Sequence, residues 1–361
     1  MFVGGITAAI ALISTGTTVA ICGRARWIGL HAKLMVSPDG QRRHKIDTPQ
    51  VGGLAILIPV FVISLIEIGL RNDAYYVSSA VVGSTLMLVV GVLDDRFSLS
   101  PFWRFAISAL AVFVVLYLEP MFILRELRVL DWGFHLSLSF SDIAVPVMMF
   151  LIVGFLNAAN MADGMDGQFL GSVLIWSLFI IGHQDSAGAL PFVALAASTT
   201  VALAFNLRHK LFAGNGGAYG ASLFIAFGAI EVYRSPGGTL YAENLVFWFW
   251  LPALDCARLI VTRILSGHSP FKGDRNHIHH VLLEMGSWPC ALLIYLGLLA
   301  APGVVAEMNV YAGGVVLGAC GLIYAVIFAW RARLCNQRGP ALPKEALPTS
   351  ARVIPGESAR W

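Results

Sequence analysis

The chain has little charge. Asp, Glu, Lys and Arg together make up 12% of its 361 residues, and 57% are hydrophobic; a soluble domain carries roughly a quarter charged residues. The shortage excludes a soluble globular protein, a disordered chain and a nucleic-acid binder, all of which need charged or polar surface. Cysteine is also scarce. The five present (Cys22, Cys256, Cys290, Cys320, Cys335) show no pair at metal or redox spacing, and four lie in or at the edge of apolar runs, so they read as inert packing residues. The net charge of +3 says little, because the charges are sorted by position.

Long uncharged runs fill the rest. They cover residues 1–23, 48–66, 74–93, 105–118, 143–162, 167–184, 186–207, 211–230, 285–306 and 308–330, and a further segment, 244–262, is apolar except for Asp255 and Arg258. A spanning helix needs about 20 apolar residues, so the pattern predicts an all-α, polytopic membrane helical bundle with about 11 transmembrane helices. The fourth run is short, and Trp103 extends it at the interface. The first run lacks a basic start and a small-residue cleavage site, and basic residues follow it, so it reads as a retained helix rather than a signal peptide.

An odd number of spans puts the termini on opposite sides. Twenty of the 24 basic residues then fall on one side, leaving Arg71, Arg125, Arg128 and Arg234 on the other, while the acids split 11 to 10. Basic residues concentrate in cytoplasmic loops. The expected orientation therefore has a cytoplasmic C-terminus and the N-terminus on the opposite side, which for a bacterial inner membrane is the periplasm. Residues 1–334 read as a single integral-membrane domain, and the Pro-rich stretch 335–361 as a flexible cytoplasmic tail.

The polar clusters fall on the cytoplasmic side of that topology. Asp94-Asp95 ends the third run. Such a pair is either a solvated helix end or a Mg²⁺ site of oxygen ligands. Asn157 and Asn160 lie one helical turn apart, and Asp163-Gly164 and Asp166-Gly167 follow; a plain turn needs only one Asp-Gly step. Gly214-Asn215-Gly216-Gly217 opens the eighth run, as a common glycine loop or as a phosphate cradle of free N–H groups at a helix start. His277, His279 and His280 close the loop after residue 262. With Arg275 beside them and no cysteine, they read as donors to a phosphate or sugar rather than a Zn²⁺ site. Asp255 and Arg258, three apart, read as a mutually satisfied structural pair. Polar groups gathered at one membrane boundary suggest a single cytoplasm-facing site.

On these motifs the chain resembles the polyprenyl-phosphate N-acetylhexosamine-1-phosphate transferases, the glycosyltransferase family 4. The resemblance covers Arg42-Arg43-His44-Lys45 with Pro49 and Gly52-Gly53, the Asp94-Asp95 pair, the Asn160–Gly167 run and the closing Ser-Pro-Phe and His-Ile-His-His sequences. The last two are similar to the N-acetylglucosamine branch rather than the muramoyl-pentapeptide branch. There is one departure: the family's Gly-Asp-x-Gly-Ser is Gly214-Asn215-Gly216-Gly217-Ala218 here. An amide thus replaces a carboxylate whose attraction for a cation at about 4 Å is worth a few kcal/mol.

The resemblance implies a transferase that moves an N-acetylamino-sugar 1-phosphate from a UDP-sugar to undecaprenyl phosphate, releases UMP and starts a lipid-linked glycan for cell-envelope polysaccharide such as O-antigen. It implies Asp94, Asp95, Asp163 and Asp166 as catalytic residues. It implies Mg²⁺, with Mn²⁺ as substitute, on Asp94, Asp95, Asn160 and Asn215. Nucleotide and sugar would meet Asn157, Asn160, Asp163, Asp166, Arg275, His277, His279 and His280, and the lipid phosphate Arg43 and Lys45. The implied partners are the two substrates, the bilayer and a second copy of the chain, with no nucleic acid. The competing expectation is a non-catalytic or transporter-like protein that binds the lipid carrier.

Overall fold

The computed structural model describes residues 2–37, 47–70, 75–129, 137–139, 143–184, 188–235, 240–269 and 276–337. Among the described residues there are thirteen α-helices: α1 (Phe2–Gly23), α2 (Ala25–Ala32), α3 (Gly52–Leu70), α4 (Tyr75–Phe97), α5 (Pro101–Leu118), α6 (Ala144–Met161), α7 (Gln168–His183), α8 (Leu190–Asn206), α9 (Gly214–Arg234), α10 (Ala242–Leu265), α11 (Ile278–Met285), α12 (Trp288–Met308) and α13 (Val310–Gln337). Two short antiparallel ribbons accompany them, β1 (Met35–Val36) with β2 (Thr48–Pro49) and β3 (Glu126–Arg128) with β4 (Ser137–Ser139).

Each of the eleven apolar runs lies on a helix. Eight helices are long and apolar enough to cross a membrane: α1, α3, α4, α5, α6, α10, α12 and α13. Helices α7 and α8 are apolar but have 16 and 17 residues, about 25 Å at 1.5 Å per residue, short of the roughly 30 Å hydrocarbon core. Helix α9 has the length, 21 residues, but opens on Gly-Asn-Gly-Gly and is not among the eight. The chain divides into two compact units, Met1–Cys320 and Gly321–Trp361; the expected tail beyond residue 337 lies outside the described residues.

Two helices were not expected from the sequence. The segment expected to be loop through His280 turns helical at Ile278, because Ile278, Val281 and Leu282, spaced i, i+3, i+4, are buried as α11 packs on α12. Helix α2 buries Ala25 and Gly29, with Gly29 close against Met35 and Pro49 of the first ribbon.

Helix α9 is the axis of the first unit. Most of its residues are buried, and it packs against α3, α4, α6 and α7. Two crossings bring backbones into direct contact. A Cβ on Gly53 would sit 2.2 Å from the Gly217 nitrogen, and one on Gly91 would sit 2.4 Å from the Asn215 carbonyl carbon. Small residues at such crossings let helices approach without side chains between them. The start of α3 is tied to the same place, with Gly52 and Gly53 N–H donating to the carbonyls of Phe212 and Ala213 at 2.9 Å each. Residues 214–216 are thereby fixed beside the last turn of α4.

Candidate active site

The last turn of α4 and the first turn of α9 form a carboxylate corner. Asp95 accepts two backbone N–H groups from the start of α9, Asn215 at 3.0 Å to Oδ1 and Gly216 at 3.3 Å to Oδ2. These are groups a helix cannot satisfy internally, and the positive end of the helix dipole adds to their attraction for an anion. Asp94 is buried, and its Oδ2 accepts the Asn215 side-chain amide at 2.8 Å and Arg104 Nη1 at 3.2 Å. Arg104 comes from the first turns of α5 and is partly exposed. One turn along α9 from Asn215, Tyr219 accepts the Asn160 amide at 3.2 Å, with Arg104 beside it. Asp94, Asp95 and Asn215, three of the four residues expected to hold a metal, are thus in direct contact, and Asn160 joins through Tyr219.

The turn between α6 and α7 carries the next group. Asp163 is exposed there. Asp166 is a tie: Asn206 Nδ2 donates to its Oδ1 at 3.1 Å, His209 Nδ1 pairs with its Oδ2 at 2.7 Å, and Trp288 Nε1 donates to its carbonyl at 3.1 Å. Asn206 also accepts the Gly167 N–H at 2.6 Å and donates to the Leu211 carbonyl at 2.8 Å. The α6–α7 turn is therefore pinned to the segment leading into α9. Asn157 turns its amide back to the Val153 carbonyl at 2.8 Å, one turn earlier in its own helix.

A histidine corner packs against this turn. The His279 ring fills the space over Gly164, where a Cβ would lie 2.0 Å from Nε2. The His277 and His279 rings are stacked at 5.3 Å and 12°, and His280 meets His279 at 4.2 Å. Burial pushes the His279 imidazole well below its ordinary pKa, and the neighbouring His280 and His277 push the same way; it is neutral at neutral pH. Asp255, buried on α10, does more than pair with Arg258. Its oxygens accept Arg258 Nη2 at 2.8 Å, His277 Nδ1 at 3.0 Å and the Ile278 N–H at 3.3 Å.

Sequence reasoning missed Arg104, Tyr219, Asn206, His209 and the His277 contact of Asp255. Asn206 did carry a signal, a carboxamide inside an otherwise apolar run. Arg104 and Tyr219 carried none, since a basic residue at a helix start and a tyrosine among glycines are ordinary. Arg43, Lys45 and Arg275 lie outside the described residues.

The sequence is similar to those of known proteins. Residues 77–233, from α4 to the end of α9, match the family model described as glycosyl transferase family 4. A decaprenyl-phosphate N-acetylglucosaminephosphotransferase of Mycolicibacterium smegmatis is 30% identical over 329 residues, covering 81% of this chain and 78% of that protein. The chain belongs to glycosyl transferase family 4. An undecaprenyl-phosphate alpha-N-acetylglucosaminyl 1-phosphate transferase of Yersinia pestis is 28% identical over 332 residues, 85% of this chain and 88% of its own. A probable undecaprenyl-phosphate N-acetylglucosaminyl 1-phosphate transferase of Bacillus subtilis is 27% identical over 286 residues, 76% of each chain. The family 4 segment holds the whole carboxylate corner and the α6–α7 turn; the histidine corner follows it in the sequence.

Proposed function

We propose that this family 4 chain transfers an N-acetylamino-sugar 1-phosphate, N-acetylglucosamine 1-phosphate in the first instance, from a UDP-sugar to undecaprenyl phosphate. An oxygen of the lipid phosphate attacks the sugar-linked phosphorus, the diphosphate P–O bond to the nucleotide breaks, and UMP leaves with that oxygen. Both reactants are anions, so the work is positioning and charge neutralisation. The observation that carries the reading is the carboxylate corner. It combines two adjacent acids, an arginine and a helix N-terminus in one place, within a chain similar over most of its length to transferases that act on undecaprenyl or decaprenyl phosphate.

The residues present fit Mg²⁺. Asp94 and Asp95 supply hard carboxylate oxygens, and Asn160 and Asn215 supply amide carbonyls. Among the described residues no group of three or more His, Cys, Asp or Glu is placed to hold a metal. Mg²⁺ binds one or two carboxylates and takes its remaining ligands from water and substrate phosphate. When bound, Mg²⁺ or Mn²⁺ would neutralise charge on the diphosphate.

Within the chain, Asp95 fixes the start of α9 and Asp94 is held by Asn215 and Arg104. Arg104 is the cation at Asp94 and the group that turns to an incoming phosphate. Asp94 is the proton acceptor for a lipid phosphate that arrives protonated. Asp163, Asn157, His277, His279 and His280, with Arg275, would hold nucleotide and sugar; Asp166 keeps their turn in place. Arg43 and Lys45 would meet the lipid phosphate. The eight long apolar helices, together with α9 and the shorter α7 and α8, would cross an inner membrane with the N-terminus periplasmic and the site cytoplasmic, the orientation that puts twenty basic residues inside.

The test is UMP release by purified protein given undecaprenyl phosphate, Mg²⁺ and a panel of UDP-N-acetylamino sugars. Metal-dependent release with one sugar, lost in Asp94→Asn with the melting transition retained, supports the reading. Silence across the panel, or full activity of Asp94→Asn, overturns it or the role of Asp94 respectively.

A further inference from the structure

Helix α10 grips three consecutive residues at the start of α11. Arg258 Nη2 donates to the Asn276 carbonyl at 2.6 Å, Asp255 Oδ2 meets His277 Nδ1 at 3.0 Å, and the Ile278 N–H lies 3.3 Å from both Asp255 oxygens. Capping α11 needs only the last of these. The contact with the imidazole is additional, and it has a chemical consequence. A carboxylate accepts and cannot donate, so a ring nitrogen facing it must carry the proton. His277 is therefore Nδ1-protonated, and Nε2 is the ring nitrogen left to face a ligand. The ring is also fixed in plane, because His279 stacks on it at 12° and His279 is itself seated on Gly164. The carboxylate, the two rings and the glycine form one continuous line from α10 to the α6–α7 turn, with little water around it: Asp255, His277 and His279 are all buried.

We infer that Asp255 is a positioning residue: by holding Nδ1–H of His277 and the first N–H of α11, it sets the tautomer and plane of His277 and presents Nε2 to the nucleotide-sugar donor. This rests on the transferase reading for its substrate, while the Asp255–His277 pairing stands on the geometry alone. Asp255→Asn is the discriminating change. The amide oxygen still accepts the Ile278 N–H, but the amide nitrogen then faces Nδ1 as a donor and drives the proton to Nε2. Partners that orient a metal-bound histidine typically cost 10- to 100-fold when removed, and the same scale is expected for a histidine oriented toward substrate.

The experiment has two arms on the full chain in lipid nanodiscs. In the first, nitrogen NMR of histidine-labelled protein, with the His277 signal identified by its loss in His277→Ala, reads the tautomer. An Nδ1-protonated ring in the wild type that becomes Nε2-protonated in Asp255→Asn is the expected result; an Nε2–H, Nδ1-bare ring in the wild type overturns the inference and needs no variant to fold. In the second arm, UMP release is compared for Asp255→Asn, His277→Ala and the double variant. Losses of about 10- to 100-fold in kcat/KM in each single variant, with the double no more than about threefold worse than His277→Ala, mark a residue acting through the histidine. Multiplying losses, or a wild-type rate in Asp255→Asn, overturn it. Wild-type protein that releases no UMP refutes the transferase reading instead, and the first arm still decides the pairing.

Discussion

The carboxylate corner and the histidine corner use the same device, an aspartate on one helix capping the start of another. Asp95 of α4 caps α9, and Asp255 of α10 caps α11. They differ in what else is attached. Asp95 meets backbone N–H groups at a place where glycines bring three helices into contact, and the neighbouring Asp94 takes the side-chain partners. At α11 one carboxylate does both jobs, holding the backbone and the imidazole together. Adjacent acids with the same chemistry have thus been given separate tasks in one corner, and a single acid has two tasks in the other. Asp94→Asn leaves the cap on α9 in place and Asp95→Asn weakens it, whereas at Asp255 only the amide keeps the acceptor for Ile278 while changing the partner of His277.

The largest expected effect sharpens that contrast. Asp94→Asn should reduce UMP release about 10³-fold, the scale of removing one group that handles charge in the transition state. Asp95→Asn should show itself first in thermal unfolding, by about 1–2 kcal/mol for a weakened helix cap. Equal melting losses in the two variants would break the division of labour.

Asn215→Asp places a third carboxylate in the corner, where an amide now donates to Asp94 at 2.8 Å. Without divalent cations the variant should lose about 1–3 kcal/mol as a buried acceptor loses its donor. Millimolar Mg²⁺ should restore much of this, while the wild type changes less on adding chelator. Melting curves with and without chelator check it. A large gain in activity for the same variant would mark the wild-type corner as impaired, and no gain would mark it as adapted to asparagine.

On the histidine side, Gly164→Ala drives a Cβ into the His279 ring and should cost about 1–3 kcal/mol as overpacking does. Trimming the ring in a Gly164→Ala/His279→Ala double variant should return part of it, measured by thermal unfolding. The smallest effect is on pH. With the folded-state pKa of His279 depressed by burial, the imidazole is neutral in both states above its ordinary value of about 6.5. Below that, the unfolded chain takes up a proton that the folded chain resists, so stability falls on acidification. His279→Gln should flatten this slope between pH 7 and 5; an unchanged slope would assign it to other groups.

Much of this was legible in the sequence, for physical reasons. The helices were readable because uncharged runs of spanning length are rare in water-soluble chains. The clustering of Asp94, Asp95 and Asn215 was readable because polar residues at a membrane boundary have few other places to go. Helix α11 was missed because histidines mask the i, i+3, i+4 spacing of Ile278, Val281 and Leu282. Asp255 read as half of a pair with Arg258 because i, i+3 neighbours are visible in a sequence, while a contact with His277, 22 residues away, is not. The tie of Asp166 to Asn206 and His209 was invisible for the same reason, and it turns a residue expected to meet nucleotide into one whose oxygens also fasten two loops.

The cap on α9 has a consequence for how the chain is made. Asp95 leaves the ribosome 120 residues before the Asn215 N–H that satisfies it. At about 5–20 residues per second that is an interval of about 6–24 s. During it, Asp95 lacks its backbone donors, Asp94 has only Arg104, ten residues on, and the crossing at Gly91 is unfilled. The corner is therefore unfinished through the synthesis of α5 to α8, and it closes only when the start of α9 arrives.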